Sequence, residues 1–410
     1  MKPIVLAGVI LSLATAAAMG KAGAADPAPH PGEGGVPQFE RDMSWPQVPA
    51  AWTHGAAVSW AAADDQDHIW LITRPRELPA LDPNIPKTAV PPPVLEFDQA
   101  GKYLRGWGGQ SGPGYVWPNN EHGLTFDSRG FFWILGNNDN SNGRGKLPSD
   151  SQVLKFTKDG KFVAAFGKPG EIGSNKTDVL RGAANSYYYA KTNELLVSDG
   201  YGNSRIVVYD ADTGKVKRTW GAYGAKPLDA ADRVSTVRDS GRGDGRGSPF
   251  PLLADKLQQF ETVHDVKMSD DGMVYVADRN NKRIQVFTID GKFVTEKFLG
   301  LDSQFPLQAR SVGFSPDQRF LYIGGTPVIW ILNRQSLEVL GSIYTGIGTP
   351  GHPPGHGVSV DHHGNLYLVQ ADTTGLDGKS TTTFGAYRWK FTGYSPAGKC
   401  CIGEGVRAKD

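Results

Sequence analysis

The chain has 410 residues, and 43 Lys plus Arg face 42 Asp plus Glu; with no basic stripe interleaved with aromatics, nothing in the charge points to nucleic acid as a partner. Glycine (52) and proline (28) are abundant, which suits many short strands joined by tight turns, and 10 tryptophans with 18 phenylalanines can fill a large core. The two cysteines, Cys400 and Cys401, are neighbours, which excludes a disulfide scaffold because bridge geometry wants the two Cα atoms further apart.

The first stretch, MKPIVLAGVILSLATAAAMGKAGAADP, carries a lysine, a short Ala-rich apolar run and small residues at Ala22 and Ala24. It reads as a signal peptide over residues 1–24; the alternative is an uncleaved anchor. The mature protein is therefore expected to be exported, periplasmic or extracellular, with no stable membrane insertion after cleavage. Residues 25–48 read as an N-terminal extension, 49–397 as a propeller and 398–410 as a tail.

Six strand–turn–strand pieces follow one another: VLEFDQAGKYLRGWG from Val94, VLKFTKDGKFVAAFG from Val153, IVVYDADTGKVKRTWG from Ile206, IQVFTIDGKFVTEKFLG from Ile284, VIWILNRQSLEVLGSIY from Val328 and YRWKFTGYSPAG from Tyr387. A further strand pair precedes each, for example HGLTFDSRGFFWIL from His122 and HDVKMSDDGMVYVAD from His264. Four short strands per unit, none able to bury its faces alone, predict an all-β chain folded as a six-bladed β-propeller of four-stranded antiparallel blades. Residues 75–93, 136–151 and 225–259 interrupt the spacing as long polar or Pro-rich insertions. Long loops on one rim of a rigid scaffold often form its binding face.

His122, His264 and His356 open the first strands of blades 2, 4 and 6. First strands line a propeller's channel, so alternate blades set these imidazoles about one axis. Three nitrogen ligands with an open fourth position are the pattern of catalytic zinc. The competing reading is a polar residue that merely closes each inner strand. His54 opens blade 1 and could be a fourth ligand, a group behind the ligands or a plain polar cap; His352, His362 and His363 read as surface residues. Asp199 and Asp278 are expected to pin their turns with Arg205 and Arg283. That leaves Arg279 beyond the needs of the repeat, and Arg74 ends the second strand of blade 1. Guanidinium groups beside a metal make sense if the ligand brings a carboxylate.

These motifs resemble the NHL-repeat propellers and, within them, the peptidyl-α-hydroxyglycine α-amidating lyase family. HGLTFDSRG with His122, SDGYGNSR with Tyr201, and His264 followed by ADRNNKRIQ with Arg279 match the family's motifs over roughly residues 50–395. The resemblance implies one zinc ion on His122, His264 and His356, Tyr201 as general base, and Arg279 with Arg74 as binders of a substrate carboxylate. The implied partner is a small molecule or peptide with a C-terminal carboxylate, cleaved at a C-terminal α-hydroxyglycine to an amide and glyoxylate; His54 or water would donate the proton to nitrogen. The family's structural Ca2+ uses a carboxylate after the third histidine, and Gly357 stands there in this chain. Two other classes remain open: a metal-dependent, lactonase-like propeller hydrolase on a small acidic substrate, and a non-catalytic exported propeller that binds protein or glycan.

Overall fold

The computed structural model describes residues 35–53, 57–75, 84, 86–138, 150–229, 258–300, 308–325, 328–345, 355–371 and 384–395. These residues form six four-stranded antiparallel sheets. Blade 1 holds β2 (Val58–Ala63), β3 (Ile69–Thr73), β4 (Val94–Phe97) and β5 (Tyr103–Trp107), and blade 2 holds β6 (Glu121–Phe126), β7 (Phe131–Gly136), β8 (Val153–Thr157) and β9 (Phe162–Phe166). Blade 3 holds β10 (Asn185–Tyr189), β11 (Glu194–Asp199), β12 (Arg205–Asp210) and β13 (Val216–Trp220), and blade 4 holds β14 (Val263–Met268), β15 (Met273–Asp278), β16 (Arg283–Thr288) and β17 (Phe293–Phe298). Blade 5 holds β18 (Ser311–Phe314), β19 (Phe320–Gly324), β20 (Val328–Asn333) and β21 (Val339–Tyr344).

Blade 6 is built from both ends of the described chain. Its inner strands are β22 (Gly357–Val360), β23 (Leu366–Val369) and β24 (Ala386–Tyr394), and β1 (Pro37–Asp42) supplies the outer one. The sequence reading placed residues 37–42 in an extension and ended blade 6 with its own hairpin. The chain runs instead as one nine-residue strand, β24, whose free edge accepts β1 because an unpaired edge leaves a row of backbone groups unsatisfied. Arg388 on β24 stands opposite Asp42 on β1, and its Nε donates to Asp42 Oδ2 at 2.9 Å.

Six apolar clusters hold the ring, one between each pair of neighbouring blades. Strand alternation makes this possible: Leu195 faces blade 2 while Leu196 faces blade 4, and Tyr367 faces blade 1 while Leu368 faces blade 5. Second strands are therefore buried along their length, as in β3 and β11, since both faces are covered. The outermost strands, such as β5 and β13, are only half covered.

Repeated polar clamps close the turns. Asp64, Asp127 and Asp361 each accept two turn N–H groups and a ring donor from the next strand: Trp70, Trp133 and Tyr367 respectively. At the other rim Asp199 accepts from Arg205 Nε at 3.0 Å and Asp278 from Arg283 Nε at 2.7 Å, the pairing expected from the repeat. Burial pushes the Asp278 carboxyl up to about 6 even with Arg283 beside it.

Candidate metal centre and anion site on the propeller axis

The three blade-opening histidines meet on the axis. His122, His264 and His356 bring ring nitrogens within 4.8 Å of one another, with ring centroids 4.7–4.9 Å apart. Local irregularities aim two of them. The register of β6 against β7 skips His122 between Glu121 and Gly123, and that of β14 against β15 skips His264 between Val263 and Asp265. A β-bulge turns one side chain out of the sheet's alternation, here toward the channel. Gly123 permits the close approach this needs, since a Cβ there would lie 2.5 Å from the Ala184 carbonyl oxygen.

Each imidazole is held from behind by a main-chain oxygen. Nδ1 lies 2.7 Å from Ala184 O for His122, 2.7 Å from Arg310 O for His264, and 2.8 Å from Ser59 O for His356. A carbonyl can only accept, so Nδ1 carries the proton and Nε2 keeps a lone pair. Burial, then the Arg74 charge, holds the His122 imidazole well below its ordinary value. Burial and the neighbouring His122 do the same to His264, with Arg279 and Arg310 adding to it; burial, His264 and His122 lower His356. All three imidazoles are neutral near neutral pH.

Tyr201, on the turn between β11 and β12, reaches the cluster from blade 3. Its Oη lies 2.9 Å from His122 Nε2 and 3.2 Å from His264 Nε2. One phenol proton satisfies at most one such lone pair at a time. Three lone pairs around a single proton form a donor set that fits a cation, and the absence of any carboxylate from this set among the described residues fits zinc better than calcium.

Arg279 comes from the matching turn of blade 4, with Nη1 3.3 Å from Tyr201 Oη and Nε donating to Gln308 Oε1 at 3.0 Å. Arg74 lies across the axis, its Nε donating to Glu121 O at 2.7 Å beside His122. The structure thus gathers His122, His264, His356, Tyr201 and Arg279 within hydrogen-bonding or ring contact and sets Arg74 close by. His54, His352, Cys400 and Cys401 lie outside the described residues. His362 and His363 both meet Asp67 on an exposed turn, as expected of surface residues.

Three contributors escaped the sequence reading. Trp60 lies against the histidine cluster, its ring centroid 5.8–6.0 Å from all three imidazoles. Arg310 precedes β18, and Gln308 bridges it to Arg279. QAR precedes the inner strand of blade 5 where blades 1, 2, 4 and 6 carry His-Gly or His-Asp, but nothing in that segment marks its burial.

The NHL repeat family model matches residues 260–287, the segment that bears His264, Asp278, Arg279 and Arg283. Blade 4 carries an NHL repeat. The chain is also similar to NHL repeat-containing protein 3 of Mus musculus, at 26% identity over 312 residues that make up 74% of this chain and 70% of the mouse protein. The Homo sapiens protein of the same name is 24% identical over 292 residues, 70% of this chain and 66% of the human one. In this propeller the matched segment supplies the Asp278–Arg283 clamp, and His264 and Arg279 stand at the same end of the strand pair that the clamp stiffens, because Val263 pairs with Asp278.

Proposed function

We propose that this NHL propeller is a zinc-dependent carbon–nitrogen lyase, which cleaves the N–C bond of a C-terminal α-hydroxyglycine to give an amide and glyoxylate. The observation that carries the reading is the position of Tyr201 Oη, within hydrogen-bond reach of two imidazole Nε2 atoms and of the Arg279 guanidinium at once. A base beside a metal-ligand cluster and a carboxylate binder suits a substrate that carries a hydroxyl and a carboxylate on one carbon.

One zinc ion, when bound by His122, His264 and His356, supplies Lewis-acid polarisation of the substrate hydroxyl. The remaining work belongs to the chain. Arg279 and Arg74 hold the carboxylate and fix the reacting carbon near Tyr201. Tyr201 Oη gives up its own proton and takes the hydroxyl proton in its place. The O–H electron pair then forms the aldehyde C=O, the C–N pair leaves with nitrogen, and nitrogen takes up one proton, so no co-reactant is consumed. The arginine charges stabilise the carboxylate that leaves as glyoxylate. Trp60, almost wholly buried against the three imidazoles, keeps water from that side of the cluster. A calcium ion is not part of this reading, because Gly357 brings no carboxylate.

The test is glyoxylate release from α-hydroxyhippurate by the zinc-loaded chain. Tyr201→Phe should lower kcat by about 10²- to 10⁴-fold with little change in KM, whereas Arg279→Ala should chiefly raise KM. A wild-type rate in Y201F would remove the tyrosine from the base role. No glyoxylate from any α-hydroxyglycine compound would sink the lyase reading.

A further inference from the structure

We infer that Gln308 and Arg310, on the segment that enters blade 5, complete the anion-binding side of this site: Gln308 sets the Arg279 and Arg310 guanidinium groups side by side, and both receive the carboxylate of a small acid. The identity of that acid rests on the lyase reading above; the receptor itself rests on geometry.

Arg310 is anchored by its main chain. Its N–H donates to Gly324 O at 2.8 Å, within blade 5, and its carbonyl accepts from His264 Nδ1 at 2.7 Å. The residue is thereby tied to the metal-ligand cluster before its side chain is considered. The side chain is buried, and its Nε donates to Gln308 Oε1 at 2.7 Å. Arg279 Nε donates to that same oxygen at 3.0 Å. An amide oxygen has two lone pairs, so one Gln308 oxygen accepts from two guanidinium groups. The amide's other end donates to Asn280 Oδ1 at 3.2 Å, which sets its orientation.

Two like charges gathered around a neutral amide are oriented by it and gain from an anion. Gln308 takes the Nε edge of each guanidinium, and Arg279 Nη1 reaches Tyr201 Oη. The planar fork of arginine matches a carboxylate in a way lysine does not, so the class expected is a small monocarboxylate such as an α-hydroxy acid or the keto acid derived from it. Gln308 is a positioning residue and Arg310 a binding residue.

The experiment uses calorimetric titration of the zinc-loaded full chain with hippurate, an unreactive carboxylate, and with hippuramide, its uncharged amide. The wild type should prefer hippurate. Gln308→Leu and Arg310→Gln should each weaken hippurate about 10- to 100-fold, the cost of a charge-assisted contact, and leave hippuramide affinity and zinc content nearly unchanged, with both variants folded. The double variant should lose less than the product of the single losses, because the two residues act as a unit. Wild-type hippurate affinity in both single variants, equal loss of both ligands, or no hippurate preference in the wild type would each overturn the inference. Selective loss of hippurate in a chain that releases no glyoxylate would support the receptor and remove only the lyase chemistry. Normal glyoxylate kinetics in both variants would remove only the receptor.

Discussion

Tyr201 sits in SDGYGNSR, and the glycine before it shows how tightly that tyrosine is placed. A Cβ on Gly200 would lie 2.0 Å from the Val263 carbonyl oxygen and 2.4 Å from its nitrogen, main-chain atoms directly ahead of His264. Gly200→Ala must push the tyrosine turn away from the blade-4 strand. Glyoxylate release should fall at least about tenfold, since small displacements of reacting groups carry large rate penalties, and stability should drop by about 1–3 kcal/mol. Kinetics beside a thermal melt would check both, and a fully active G200A would contradict the placement. Among the residues at the site, Arg279 was legible because Arg283 already fills the repeat's own pairing with Asp278. Arg310 was not, because a lone arginine before a strand looks like solvated surface, and its burial beside Gln308 depends on blade 4 standing next to blade 5. Trp60 read as an ordinary strand residue for a similar reason: its neighbours come from three other blades.

The strands themselves were legible because each is short, apolar and bounded by a turn, and because a blade with both faces covered demands apolar residues throughout its second strand. The bulges at His122 and His264 were not, since a skipped register changes a side chain's direction without changing its sequence signature. The turns after the second strands show how the elements divide labour. In blades 3 and 4 these turns are short and carry Tyr201 and Arg279, while in blades 1 and 2 the insertions at 75–93 and 136–151 leave from Thr73 and Gly136, which pair with the channel-side starts of their own blades. Insertions and site thus share one rim. Polar ladders stabilise the blades farther out: Arg218 Nη1 and Nη2 meet Glu194 Oε1 and Oε2 at 2.8 and 2.7 Å, joining β11 to β13. These hydrogen bonds from Arg218, helped by Lys217 and opposed by burial, pull the Glu194 carboxyl down to about 2. A depressed carboxyl contributes stability that is present above its unfolded value and lost as pH falls through its folded value, a window of about pH 4.5 to 2. Glu194→Gln should cost about 1–2 kcal/mol at neutral pH and flatten the acid limb of a stability–pH curve in that window. An unchanged acid limb would show that the ladder is not coupled to folding.

For the whole molecule, closure is what makes a site on the axis possible. Six separate blade–blade cores bring the three imidazoles together from alternate blades, and β1 joins the two ends of the described chain in blade 6 by pairing with β24. Six-fold repetition was readable from the order of the strands, but the partner of β24 was not, because an edge can be met by any extended segment and Pro37–Asp42 carries no repeat signal. The same closure concentrates neutral imidazoles, a phenol and three arginines on the axis, a combination that fits one divalent cation and one carboxylate. Metal content settles whether this architecture serves that purpose. Elemental analysis of the chain purified without chelator should find one zinc per molecule, and His264→Ala should lose it while remaining folded by circular dichroism. A wild-type chain that is metal-free and takes up no added zinc, or an H264A chain that keeps its zinc, would contradict the account.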